Sequence, residues 1–245
     1  MPTVPTTPNV LPISETFISL QGEGVLTGVP SWFCRVSGCN LRCTWCDTPY
    51  ASWQPELAGG APRSIDALVA EARASKVGHA VLTGGEPMLF PAVETLALQL
   101  HRLGMHITIE TAGTIFRELP CDLLSLSPKL ANSTPAHDDP RDPTGQWYDR
   151  HESRRIDIGT LQALIDRYAS RQLKFVVSSP ADLREIESLL GTLRGWQASE
   201  VQLMPEGTAV PPTGSLEWLV RACIERGFRL CSRQHLQWFG HRRGT

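Results

Sequence analysis

From residue 64 onward, short β-prone runs alternate with segments whose apolar residues recur at helical spacing, a rhythm that few architectures satisfy. Ser64 reads as an N-cap ahead of a helix with Ile65, Leu68, Val69 and Ala72 on one face, and the strand Ala80-Val81-Leu82 follows. The next helix carries Val93, Leu96, Ala97, Leu100 and Leu103, and Gly104 stops it before Ile107-Thr108-Ile109. Leu123-Leu124-Ser125 comes next, then a helix of Leu161, Leu164, Ile165 and Tyr168, and the strand Leu173 to Val177. Ser179-Pro180-Ala181-Asp182 has the form of a helix start, with a capping side chain and proline at the first helical position. That helix presents Leu183, Ile186, Leu189 and Leu190 and leads to Val201-Gln202-Leu203. A last helix of Leu216, Leu219, Val220, Cys223 and Ile224 precedes Phe228-Arg229-Leu230. Strands joined by helices in this order are parallel βαβ units. About six strands follow an earlier one at Ser31 to Val36, too few for an eightfold barrel. The expected fold is α/β, a partial, open β/α barrel of about six parallel strands.

A length of 245 residues suits one domain with a sizeable core, expected over residues 17–240. Residues 1–16, rich in Pro and Thr, read as a flexible tail and 241–245 as a C-terminal extension. Pro55 to Pro62 reads as a linker. Residues 131–157 break the rhythm: they are polar, hold Pro135, Pro140, Pro143 and Gly145, and are too long for an idle connection, so they read as a lid or a disordered excursion. A net charge of -2 gives no electrostatic case for nucleic acid or an anionic membrane. No basic stretch leads into an apolar run, and no segment reaches membrane-spanning length, so the expectation is a cytoplasmic protein.

Ser31 to Val36 delivers the loop Gly38 to Thr48, where Cys39, Cys43 and Cys46 form a C-x3-C-x2-C pattern. Three cysteines interleaved with Asn40, Arg42 and Asp47 do not look like core. A zinc site would need a fourth ligand, from Cys34, Cys121 or Cys231, although structural zinc usually uses two close-spaced couples. An iron-sulfur cube needs four ligands as well, and three cysteines leave one iron open to a small-molecule chelator. Seven cysteines is an odd number, and the spacing is that of a metal site rather than a disulfide framework.

In a parallel barrel the loops after the strands carry the chemistry. Thr83-Gly84-Gly85-Glu86-Pro87 follows one strand; its glycines expose backbone to a ligand, while Glu86 pairs with an ammonium or braces the loop. Ser125 to Lys129 follows another, and Gln202 to Glu206 a third. Before the cysteines, Gln21-Gly22-Glu23-Gly24 is a polar turn whose Gln21 and Glu23 suit the amide-like edge of a heterocycle, though a plain surface turn uses the same residues. Arg35 is an anomaly in an apolar strand, and a substrate carboxylate is a natural partner for it.

The cysteine spacing and the GGEP stretch resemble those of the radical S-adenosylmethionine (SAM) enzymes, in which SAM chelates the open iron of a [4Fe-4S] cluster. With Gln21 to Gly24, Arg35, Gly38 to Cys43, Trp45 to Thr48, Glu110 to Thr114, Ser127 to Lys129 and Gln234-His235, the chain resembles the 7-carboxy-7-deazaguanine synthases from about Phe17 to Gly240. That resemblance implies a barrel of the radical SAM type. It also implies a ring contraction of 6-carboxy-5,6,7,8-tetrahydropterin with loss of ammonia, in queuosine and 7-deazapurine biosynthesis. Cys39, Cys43 and Cys46 would hold the cluster. SAM would lie against Trp45, Cys46, Asp47, Gly85, Glu86, Ser127, Pro128, Lys129, Gln202, Leu203, Met204 and Pro205. The substrate would meet Leu20, Gln21, Gly22, Glu23, Arg35, Thr83 and Glu110, and Thr48 matches a magnesium position. From residue type alone Thr48 equally suits a cap on the turn before Pro49. Implied partners are an electron donor such as flavodoxin or ferredoxin and a second copy of the chain. Some relatives place their C-terminal carboxylate near the substrate, whereas this chain continues past Gly240 to Thr245. Another radical SAM enzyme, such as a glycyl-radical activase, would share the cysteine loop and GGEP without needing Gln21 to Gly24 or Thr48. An iron-sulfur sensor would need no SAM loops, and a zinc-structured nucleic-acid module would need a basic face that the composition lacks.

Overall fold

The computed structural model describes residues 9–54 and 61–245. Among these, nine strands form one sheet: β1 (Val10–Leu20), β2 (Pro30–Val36), β3 (Ala61–Ser64), β4 (His79–Gly84), β5 (His106–Thr111), β6 (Leu123–Leu126), β7 (Arg171–Val177), β8 (Val201–Pro205) and β9 (Arg229–Leu230). The spatial order is β3-β1-β2-β4-β5-β6-β7-β8-β9, with β3 and β9 as unjoined edges, so the barrel is open. From β2 to β9 every pairing is parallel: six strands follow the cysteine loop's own, as the alternation predicts.

The helices are α1 (Pro49–Ser52), α2 (Ile65–Ser75), α3 (Ala92–Arg102), α4 (Trp147–Glu152), α5 (Ile158–Arg167), α6 (Asp182–Thr192), α7 (Glu217–Arg226) and α8 (Gln234–Phe239). Ser64 caps α2 by accepting a hydrogen bond from the Ala67 N–H. Alternate strand positions face the helices, and Trp32, Ile107, Leu124, Phe175 and Leu203 share one core with α2, α3, α5, α6 and α7. The intervening positions face the hollow of the sheet. That period of two turns Arg35, Thr83, Glu110 and Lys174 inward while their sequence neighbours pack the core.

Five expectations change. β1 begins at Val10, so residues 10–16 belong to the sheet rather than to a tail: Leu11 and Ile13 are core residues, and this half of β1 pairs with β3. Residues 1–8 lie outside the described residues, as does most of the expected linker, but Ala61 and Pro62 at its end are in β3. α6 starts at Asp182 and not after Ser179, because the Asp182 carboxylate turns back to accept from the Ser178 and Ser179 N–H groups at 2.7 and 3.0 Å. On α7 the buried face is Leu219, Ala222 and Cys223, while Val220 and Ile224 are exposed, because the helix packs on the sheet by a narrower stripe than its apolar residues span. Residues 131–157 hold a short 3-10 turn and α4, and they pack against the cysteine loop without lining the cavity.

Candidate active site

At the C-terminal ends of the parallel strands lies a cavity of about 380 Å³, within the range of small-molecule sites. The β2–α1 loop contributes Cys39, Cys43, Trp45, Cys46, Asp47 and Thr48 to its wall. The loop after β4 contributes Gly84 and Gly85, and the loop after β6 contributes Ser127 and Lys129. Gly85 is seated so tightly under the cysteine loop that a Cβ there would stand 1.9 Å from the Gly38 carbonyl oxygen. The GGEP glycines thus set how close the two loops come.

Burial pushes the Cys39 thiol up to about 12, with the Glu86 carboxylate adding to it, and burial raises Cys43 and Cys46 too. Thiols in such surroundings become thiolate ligands only when a cation beside them takes up the charge. Among the described residues no three His, Cys, Asp or Glu side chains converge on one metal-ion position. Three thiols that line one cavity without converging suit a cluster in which each holds its own iron, and not a zinc ion. None of the other zinc candidates reaches this wall: Cys34 faces the helices, Cys121 lies in a separate cleft with His101 and Asp122, and Cys231 sits under the Gly24 N–H at 3.3 Å.

Opposite the cysteines the wall is a network of paired charges. Lys174 reaches Glu23 at 2.6 Å and Glu110 at 3.5 Å, and Arg233 links Glu23 at 3.1 Å to Asp47 at 2.6 Å. Burial alone would raise the Glu23 carboxyl, but Lys174 and Arg233 outweigh it and hold it well below the usual carboxylate range. Thr83 donates to Glu110 at 2.7 Å. Arg35 is half satisfied from within: its Nε donates to Glu15 at 2.8 Å, and Tyr50 donates to the same oxygen at 2.8 Å. Glu15 thus supplies one anionic partner, through Nε, and the rest of the guanidinium faces the cavity wall.

Several expected contacts are turned away from the cavity. Gln21 is tied into its own turn, donating from its side chain to Ser31 and from its backbone to Val29. Its neighbour Gly22 stays in the cavity wall, packed on His235, where a Cβ would meet Nδ1 at 2.3 Å. Glu86 is fully buried and accepts from Met88, Thr111 and Ala112, so it braces the loop. Pro128 does not line the cavity, and of Gln202 to Pro205 only Met204 does. Strand alternation puts Leu203 in the core, and Gln202 donates to Gln172 in the barrel interior. The Thr48 hydroxyl makes no capping bond to α1 and stands 3.8 Å from the Cys46 sulfur. Residues 241–245 also line the cavity, with Arg243 bonded to Glu15 at 3.0 Å and His241 at 3.1 Å from the Asp47 carbonyl.

The Radical SAM superfamily pattern matches residues 34–179. A 7-carboxy-7-deazaguanine synthase of Rhodopirellula baltica is 48% identical over 95% of this chain and 88% of its own. The chain belongs to the 7-carboxy-7-deazaguanine synthase family. A second such synthase, from Halobacterium salinarum, is 48% identical over 92% of this chain and 89% of its own. The crystal structure of QueE from Escherichia coli matches the fold at a TM-score of 0.65 and 27% identity, covering 92% and 95% of the two chains. Membership in this radical SAM family implies a [4Fe-4S] cluster and SAM, and the three thiols and the cavity fit both.

Sequence reasoning missed Lys174, Tyr50, Arg233 and Glu15. A signal existed for one of them. Lys174 interrupts Leu173-Lys174-Phe175 in the same way that Arg35 interrupts its strand, and the same argument finds both.

Proposed function

We infer that this enzyme converts 6-carboxy-5,6,7,8-tetrahydropterin to 7-carboxy-7-deazaguanine with release of ammonia, a step of queuosine and 7-deazapurine biosynthesis. The observation that carries this is the meeting of three cavity-lining thiols, the Arg35 guanidinium and the Glu23–Glu110 carboxylate pair in one cavity of a chain from this family. A cluster on Cys39, Cys43 and Cys46, with SAM on its open iron, would supply the one-electron chemistry that removes a hydrogen atom from the substrate. The chain's own residues bind and orient. Arg35, steadied by Glu15 and Tyr50, would receive the substrate carboxylate. Glu23, kept charged by Lys174 and Arg233, and Glu110, 3.5 Å from the same Lys174, would accept hydrogen bonds from the N–H edge of the pterin. Leu20, Gly22 and Thr83 would complete that side. Trp45, Asp47, Gly85, Ser127, Lys129 and Met204 would hold SAM, with Lys129 oriented by 2.8 Å bonds to the Ser127 carbonyl and hydroxyl. Residues 241–245, which line the cavity, would help keep water from the reacting atoms.

The test is anaerobic reconstitution with iron and sulfide, followed by turnover with SAM, a reductant and the tetrahydropterin. The expected result is 7-carboxy-7-deazaguanine and ammonium, with SAM used over many turnovers. SAM cleavage without that product would overturn the substrate assignment.

Magnesium belongs to the same proposal. Thr48 offers a hard oxygen in the cavity wall that α1 does not use as a cap, and magnesium commonly takes few protein ligands and fills its sphere from substrate and water. After chelation, wild-type turnover should recover with added magnesium, and Thr48→Ala should need far more of it. A variant with the wild-type magnesium response would remove Thr48 from the site.

The implied partners are a homodimer and a small electron donor such as flavodoxin or ferredoxin, and they rest on the family likeness. A cytoplasmic setting is supported by all seven cysteines being free thiols. No helix among the described residues is long and apolar enough to cross a membrane.

A further inference from the structure

Residues 131–155 do not reach the cavity, yet they take up successive backbone groups of the cysteine loop from behind. The Arg42 N–H donates to His151 Nδ1 at 3.1 Å, and the Thr44 N–H donates to the Ser133 carbonyl at 2.8 Å. Arg141 donates to the Thr44 carbonyl at 3.1 Å, and the Trp45 indole N–H donates to Asn132 at 3.2 Å. Asn132 is itself anchored to the sheet, donating to the Val176 carbonyl and to Asp182, both at 3.0 Å. The loop is thus held on the face opposite its thiols.

The direction of the bonds at the centre of this brace is determined. Ser133 has one hydroxyl proton, and it goes to the Leu130 carbonyl at 2.6 Å. At 2.8 Å from His151 Nε2 the Ser133 oxygen must then accept, so Nε2 carries the ring proton and Nδ1 is left free to accept from Arg42. The imidazole is fully buried, and burial keeps it neutral, pushing it down to about 4. One tautomer of one side chain therefore joins the sheet-anchored turn at Ser133 to the Leu41–Arg42 peptide, one residue ahead of Cys43.

We propose that His151 is a positioning residue for the cysteine loop, and that residues 131–155 are the brace that holds Cys39, Cys43 and Cys46 in the spacing a cluster requires. The proposal rests on the reading of these cysteines as cluster ligands. The loop's own bonds, such as those from the Arg42 guanidinium to the Cys39 and Leu41 carbonyls at 2.7 and 2.8 Å, tie it to itself. The brace adds the tie from outside that fixes it to the sheet, as partners behind the ligands do at many metal sites. Replacing such partners typically costs about 10–100-fold in metal affinity.

The test compares wild type, His151→Leu, His151→Asn and Leu219→Ala after anaerobic reconstitution, the last being a core variant on α7 remote from the loop. Iron release to a strong chelator is timed, and the melting temperature of each protein is recorded. His151→Leu should release iron about 10–100-fold faster than wild type. His151→Asn, whose side-chain oxygen can take the place of Nδ1, should recover much of the difference. Leu219→Ala should lose melting temperature without the gain in release rate. Release that follows melting temperature across all variants, or no difference between His151→Leu and His151→Asn, would overturn the brace. A wild-type protein that takes up no cluster would instead overturn the cluster reading, and the brace with it.

Discussion

Replacing Cys39, Cys43 or Cys46 by Ala is expected to abolish cluster binding and SAM cleavage, while Cys121→Ala and Cys223→Ala retain both. The difference follows from where each thiol sits. The first three share one cavity wall. Cys223 is on the buried face of α7, and Cys121 packs at the edge of the core in another cleft. Losing one of three ligands leaves a second iron without a protein donor, which the remaining thiols cannot replace because they do not converge on a common point. Iron and sulfide content, the visible absorption of the cluster and the yield of cleaved SAM are the measurements. A requirement for Cys121 in cluster binding would mean that the fourth position belongs to the protein, and SAM would lose its place on the open iron.

Lys174→Met is expected to have the second-largest effect, on stability and on substrate binding together. The ammonium is almost wholly buried between Glu23 and Glu110, and its removal leaves two carboxylates in one cavity, Glu23 with its ion pair to Arg233 and Glu110 with the Thr83 hydroxyl. Breaking a buried pair from one side commonly costs about 3–5 kcal/mol, because the remaining charge stays buried. The pH dependence carries the sign. The folded Glu23 carboxyl lies below its ordinary value of 4.5, so its contribution is fully present above about pH 4.5 and is lost as pH falls from there toward the folded value. Without Lys174 the largest opposing influence is gone and burial counts for more, so the variant's stability should depend less on pH over that acid range. Denaturant titrations of wild type and variant between pH 3 and pH 7 would show it. Equal acid slopes for the two proteins would mean that Lys174 does not hold Glu23 ionised, and the pterin-edge assignment would lose its support.

Arg35 and Lys174 mark where reading a chain by anomaly works and where it stops. Each is a cation in an apolar strand, and strand alternation alone turns each toward the hollow of the sheet. What each one meets there is a different matter. Arg35 meets Glu15 on the neighbouring antiparallel strand, in a stretch that looks like a tail from its prolines and threonines. Lys174 meets Glu23, 151 residues away. The polar stretch 131–157 misleads in the opposite sense: its prolines and charges look like a lid, yet its partners are backbone groups of the cysteine loop, which no side-chain pattern advertises. Gln21 and Glu86, polar residues in glycine-rich turns, look like ligand contacts, but their hydrogen-bonding groups are engaged in holding their own loops.

The sequence by itself determined the parallel open barrel and the family, because apolar period and motif spacing are local properties that span about ten residues and survive in any context. It also determined which loops carry the chemistry, since a parallel strand followed by a helix can only present its C-terminal loop at one end of the sheet. Only the tertiary structure decided which charges pair, which side chains turn from the cavity, and that 131–155 backs the cysteines. Those outcomes depend on contacts between elements far apart in the chain, such as Arg243 with Glu15 across 228 positions, and a contact of that kind exists only once the strands have been laid side by side.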